Sequence, residues 1–93
     1  MLNFDADIFD AAEVGDIETV ERFWSESIDV DYQDLAGRTL LMYAASNGHI
    51  DVFNFLFKHN ADASLKDKMG ETALDKALNA STRDLLIRYR WKI

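Results

Sequence analysis

The chain resembles itself at an offset of 33 residues. Shifted by that amount, Ala11, Ala12, Gly15, Ile17 and Asp29 fall on Ala44, Ala45, Gly48, Ile50 and Asp62. A second shift carries Asp34, Gly37, Thr39, Leu41, Ala44 and Asp51 onto Asp67, Gly70, Thr72, Leu74, Ala77 and Asp84. A period of roughly 20 to 50 residues denotes stacked supersecondary units, because each unit alone leaves an apolar face that only its neighbour covers. Three units fit within a single domain, about 1 to 33, 34 to 66 and 67 to 93. The outer two are expected to act as caps.

The middle unit predicts two helices. Leu41, Ala44 and Ala45 share one helical face after Thr39, and Gly48 ends that helix because glycine accepts the left-handed geometry of a C-terminal cap. In the antiparallel helix that follows, Ile50, Phe53, Leu56 and Phe57 recur at helical spacing. Val52 and Phe55 widen the stripe, so this helix is expected to be buried on more than one side. Asn60 then stands where a left-handed residue is tolerated. Small alanines in the first helix let layers approach closely, and the bulky residues of the second fill the outer core.

The segment DLAGRTLLMYAASNGHIDVFNFLFKHNADAS, Asp34 to Ser64, closely resembles the ankyrin repeat. Asp34, Gly37, Thr39, Leu41, Ala44, Ala45, Gly48, His49, Ala61 and Asp62 occupy positions of that family's pattern. Leu40 and Met42 depart from its proline and histidine, and Asn60 from its last glycine. The flanking units match less well: Phe4 stands where Gly37 and Gly70 stand, and Ser81 and Thr82 replace the Gly-His pair. The resemblance implies an all-α ankyrin-repeat solenoid of stacked helix-turn-helix units with divergent capping units.

Catalysis has little support in these residues. There is no cysteine, and His49 and His59 cannot make a metal site without carboxylate help, so neither a metal nor a cofactor is expected. The resemblance gives His49 the task of tethering a helix start to neighbouring backbone. His59 lies at a helix end, where a cation suits the dipole. The pairs Asp5/Asp7 and Asp29/Asp31 lack the spacing and glycine of a calcium loop, and the four glycines form no phosphate-binding loop. The chain is read as no enzyme.

Composition narrows the partner. Residues 1 to 34 hold eleven acids and one base, a charge of −10, whereas residues 35 to 93 carry +3. An acidic half argues against nucleic acid, which is bound by a basic face that releases counterions. No apolar run is long enough to span a membrane, and the acidic N-terminus is unlike a signal peptide, so a cytoplasmic protein is expected. The basic and aromatic run Arg83 to Ile93 superficially suggests nucleic acid or a membrane surface. It fits a capping helix better, with Leu85, Leu86 and Tyr89 inward and Arg83, Arg88 and Arg90 largely outside.

The resemblance implies that turn tips and first helices line a concave side where another protein docks. Those positions are Leu35, Ala36 and Arg38 at one tip, Lys68, Met69 and Glu71 at the next, and Tyr43, Ser46 and Asn47 on the central helix. Asp10, Glu13 and Val14 are the counterparts in the first unit, and Asp10 and Glu13 lie one helical turn apart. Phe9 and Met42 replace residues usually polar in the family and are expected to be exposed on this face, the alternative being that they tuck between layers. The leading function is protein binding without catalysis, by a monomer or a weakly self-associating chain. The alternative, which takes the chain as complete from Met1 to Ile93, is an immunity or inhibitor protein whose acidic half steers it onto a basic toxin or nuclease.

Overall fold

A computed structural model describes residues 4–24 and 29–91, and its elements follow from where the chain supplies helix caps. Six helices occur in order: α1 (Phe4–Val14), α2 (Ile17–Phe23), α3 (Leu40–Asn47), α4 (Ile50–Lys58), α5 (Ala73–Lys76) and α6 (Ala80–Trp91). No strand occurs among the described residues. The expectations placed on the side chains of Phe4, Asp5, Asp7 and Arg90 fall outside the described residues.

Thr39 opens α3 by accepting the Met42 N–H at 3.3 Å, and Thr72 opens α5 in a reciprocal box with Asp75. Each cap satisfies an N–H that the helix start would otherwise leave without a partner. Gly48 closes α3 at φ 67°, and Asn60 adopts φ 63° after α4. His49 begins α4 without capping it through its side chain. Its Nε2 instead lies 2.8 Å from the Glu13 carbonyl oxygen at the end of α1, which joins the first helix pair to the second. The ring fills the space beside Gly15, where an added Cβ would come within 2.5 Å of Nδ1.

The helices form three pairs. α1, α3 and α5 pack side by side as the inner row, while α2 and α4 meet in the outer one. Between rows lie Val20, Leu41, Val52, Phe53 and Leu56, all essentially without solvent contact. Burying side chains of this size contributes about 1.5–3 kcal/mol each, the main term that opposes chain entropy. Ala11, Ala12, Ala44 and Ala45 are buried too, so small residues do stand where inner helices touch. Tyr89 of α6 stacks on Phe57 at 3.9 Å between centroids and donates its hydroxyl to the Ala61 carbonyl at 2.8 Å. Leu86 is buried and Leu85 half-buried, while Arg83 and Arg88 are exposed.

The third pair differs from the second. α5 is one turn long, since Ala77 leaves the helix at φ −56°, ψ 128°. Asn79 then starts α6, its Oδ1 accepting both the Thr82 N–H and the Thr82 hydroxyl at 2.9 Å. Thr82 is fully buried, and the Leu78 N–H donates back to the Ala45 carbonyl at 3.0 Å. These bonds take over the joint that Gly48 and His49 make in the middle pair.

Candidate functional site

Two turn tips project from the inner row, and both are held by the same device. The Asp34 carboxylate accepts the N–H groups of Ala36 and Arg38 at 3.0 and 2.9 Å; the Asp67 carboxylate accepts those of Met69 and Glu71 at 2.9 and 3.0 Å. An aspartate that bonds backbone two and four residues ahead fixes a turn without help from a core. Gly37 and Gly70 supply the left-handed residue in each, at φ 80° and 78°. The tips also bond to one another through the Lys68 N–H and the Ala36 carbonyl at 3.0 Å.

Each tip aspartate is tied to the inner helix nine residues on. The Tyr43 hydroxyl donates to the Asp34 carboxylate, and the Lys76 ammonium lies 2.8 Å from Asp67 Oδ2 and 3.4 Å from Glu71 Oε1. The approach of Lys76 to that Asp67 oxygen is too oblique for a well-aligned hydrogen bond, yet the opposite charge sits directly against it. Burial raises the Asp34 pKa, but the bonds from Tyr43, Arg38 and Ala36 outweigh it and hold the carboxyl below its ordinary range. The same burial, with the Asp34 bond and charge, raises the Tyr43 phenol. Lys76, then the Glu71 N–H, hold Asp67 low, and Asp67 raises Lys76 in return.

Asp10, Tyr43 and Lys76 occupy the same position in successive inner helices, so the inner face runs from a carboxylate through a phenol to an ammonium. A shallow groove of about 210 Å³ lies among Arg38, Met42, Tyr43, Ser46 and Lys76. Arg38 stands 5.9 Å from the centroid of the Tyr43 ring, within cation–π range. Ser46 Oγ and Asn47 Nδ2 both donate to the Tyr43 carbonyl, at 3.2 and 3.0 Å.

The expected binding residues divide into three sets. Arg38, Tyr43 and Ser46 meet around the groove, with Asn47 exposed beside them. Leu35, Ala36, Lys68, Met69 and Glu71 are exposed at the tips, Leu35 and Met69 at 92% and 80% of full accessibility. Asp10, Glu13 and Val14 are exposed on α1.

The expectation that Phe9 and Met42 are exposed is corrected. Met42 is 1% exposed and only edges the groove, because α3 has inner helices on both sides and no free flank remains. Phe9 is 8% exposed, its ring 5.4 Å from Tyr43 and 6.1 Å from Tyr32. It packs at a tilt against the Tyr43 ring. Sequence reasoning missed Lys76 and the two tip aspartates, although Tyr43 shifted by one period lands on Lys76, and Asp34 on Asp67.

No helix of the described residues is long and apolar enough to cross a membrane, and no cluster of three or more His, Asp or Glu among them could hold a metal ion.

The fold and the repeat have counterparts in known proteins. The family model described as ankyrin repeats (many copies) matches residues 25–77, more than half of the chain. The mitochondrial liver isoform of glutaminase from Rattus norvegicus is 38% identical over 69 residues, 73% of this chain and 12% of that protein. Serine/threonine-protein kinase 12 of Arabidopsis thaliana is 33% identical over 81% of this chain and 16% of its own length, and an L-asparaginase of Dirofilaria immitis is 32% identical over 82% and 13%. The chain thus spans less than a fifth of each of these relatives. A chain in the solved structure of the Bd0816 predatory endopeptidase from Bdellovibrio bacteriovorus in complex with immunity protein Bd3460 superposes with a TM-score of 0.82 at 34% identity, covering 89% of this chain and 45% of that one. Helix pairs stacked at a 33-residue period, tips fixed by aspartate and glycine, and these matches place the chain in the ankyrin repeat family.

Proposed function

We propose that this chain is a non-catalytic protein-binding module whose concave inner face takes a partner protein. The observation that carries this reading is the row of exposed polar groups and the half-buried Tyr43 along the inner helices, beside tips that Asp34 and Asp67 hold in place. Groups fixed before binding lose little freedom in the complex, and a tyrosine flanked by an arginine is the kind of anchor that dominates small interfaces. Asp10, Glu13, Val14, Leu35, Ala36, Arg38, Tyr43, Ser46, Asn47, Lys68, Met69 and Glu71 are the contact residues of this proposal, with Phe9 and Met42 acting from below. Repeat units of about 1 to 33, 34 to 66 and 67 to 93, and a cytoplasmic setting, belong to the same reading.

A second reading is that the partner is a basic enzyme that the chain inhibits. It is favoured by the similarity to a chain from an endopeptidase–immunity protein complex and by the −10 charge of residues 1 to 34. Opposite charge raises association rates and is screened by salt.

Affinity capture on the immobilised chain, eluted in steps of salt, tests both. A single basic enzyme released by salt and losing activity when mixed with the chain supports inhibition; partners that keep their activity support a module without it. Replacing Asp10 and Glu13 together by lysine should slow association with the captured partner at least tenfold at low salt, on the scale of electrostatic steering. Unchanged affinity in that variant would remove the inner face from the proposal.

A further inference from the structure

The end of the stack formed by the third helix pair is built like an interior layer, yet no described residue lies against it. Between the two turn segments, the Asp62 N–H donates to Asp31 Oδ1 at 2.8 Å, Gln33 Nε2 donates to the Lys66 carbonyl at 3.0 Å, and backbone closes over Gly37. A Cβ on Gly37 would come within 2.9 Å of the Lys68 nitrogen. One period further on, these positions are Ser64, Lys66 and Gly70. Gly70 makes the same turn at φ 78°, but nothing lies within 4 Å of where its Cβ would be.

Beside this open seat is a cavity of about 350 Å³. Leu74, Leu86, Ile87 and Tyr89 form its walls, and Asp62 and Lys66 stand on its rim. Ile87 keeps 39% of its surface exposed, where Asn54 occupies the same position in the preceding pair. An apolar hollow of this size fits a few side chains and is normally covered.

We propose that this end face binds the same face of a second copy, around a two-fold axis. A two-fold interface must be self-complementary, since one patch meets its own image. This patch is: its centre is apolar, and among the described residues that line it Asp62 is the anion and Lys66 the cation, so that Asp62 of each copy faces Lys66 of the other. The described surface of α2 at the opposite end suits the hollow less well, because its exposed residues include Glu18, Glu21 and Arg22, which would set charge against the apolar walls. A single small hollow with two ion pairs makes a weak dimer, of the class that forms only at high concentration.

Sedimentation velocity of the whole chain, from about 20 µM to about 1 mM, measures this over the range where weak dimers form. The expected result is a mass rising from 10.6 kDa towards twice that value. Ile87→Glu should leave a monomer throughout. Asp62→Lys gives a rim with two cations, and Lys66→Glu a rim with two anions, so each variant alone should associate at least tenfold more weakly than the parent chain. Their equimolar mixture should recover a 1:1 dimer, because each cation again faces an anion. Circular dichroism verifies that all three keep the fold, and every substituted residue is at least partly exposed. A parent chain monomeric across the whole range overturns the proposal, as does a dimer that Ile87→Glu leaves intact or a mixture that fails to pair. Single-charge variants that associate as strongly as the parent would place the contact elsewhere.

Discussion

Gly37 and Gly70 make the same turn in two different surroundings, and replacing each by alanine separates backbone strain from the packing of one layer on the next. Both hold φ near 80°, where a Cβ costs roughly 1–2 kcal/mol. Alanine also restricts the unfolded chain, which offsets about 0.4–1 kcal/mol of that cost. Gly70→Ala meets no atom within 4 Å, so the net loss should be about 0.5–1 kcal/mol. Gly37→Ala carries the same strain and adds contacts of 2.9 Å to the Lys68 nitrogen and 3.1 Å to Asp67 Cα. These are backbone atoms, and they cannot swing aside as a flexible side chain would. Overpacking of this kind costs about 1–3 kcal/mol more, and that difference is the expected result. Urea unfolding followed by far-UV circular dichroism, at a few micromolar protein, measures both losses. For a chain of this length the extra loss also lowers the melting temperature of Gly37→Ala below that of Gly70→Ala by roughly 4–8 °C per kcal/mol. Equal losses to within about 0.5 kcal/mol, the usual scatter for uncoupled sites, would refute the claim that the second turn closes over the first and leaves the last one open.

Three further outcomes are expected. Met42→Lys should lose at least about 3 kcal/mol, as a charge forced into a filled core does, whereas Met69→Lys at the exposed tip should stay within about 0.5 kcal/mol; urea midpoints distinguish them. Tyr43→Phe removes the hydroxyl that Asp34 accepts and should cost about 0.5–1.5 kcal/mol, with the Asp34 carboxyl moving up towards the ordinary value in a ¹³C NMR titration. Asp34 and Asp67 are both held low in the folded chain, so the stability they add is fully present above about pH 4, the unfolded carboxylate value, and is lost as pH falls through their lowered folded values. Asp31 is raised by burial and works against this loss. Lys76→Met should raise the Asp67 carboxyl and make acid unfolding begin at a higher pH, and an unchanged acid midpoint would show that the pair contributes nothing to stability.

The parts of this fold that depend on one residue and its local backbone were readable before any coordinates. Gly48 and Asn60 adopt left-handed geometry where the sequence asks for it. The position of His49 suggested a tether, and its ring does reach the Glu13 carbonyl across 36 positions of sequence. What the sequence did not show depends on two layers together. Met42 and Met69 are the same residue type and differ from 1% to 80% exposure because Met42 lies on α3 between α1 and α5, whereas Met69 projects at a turn tip, where Leu35 on the preceding tip is exposed to 92% as well. Residue type cannot separate them; the place of each on a packed helix or a projecting tip does. The one-turn α5 is a similar case. Ala77 and Leu78 suit a helix, but Asn79 and Thr82 make a cap that starts α6, and the earlier helix must end to let the Leu78 N–H reach Ala45. Lys76 is the instructive miss, since reading only the helix it lies on treats it as one more surface cation. Read one period back, it stands on Tyr43, and the aspartate nine residues before each is the same tip aspartate. In a repeat the informative comparison is therefore between equivalent positions, because that is where a hydroxyl and an ammonium are found doing one job, and where a covered glycine and an open one reveal which face of the stack still has room for a neighbour.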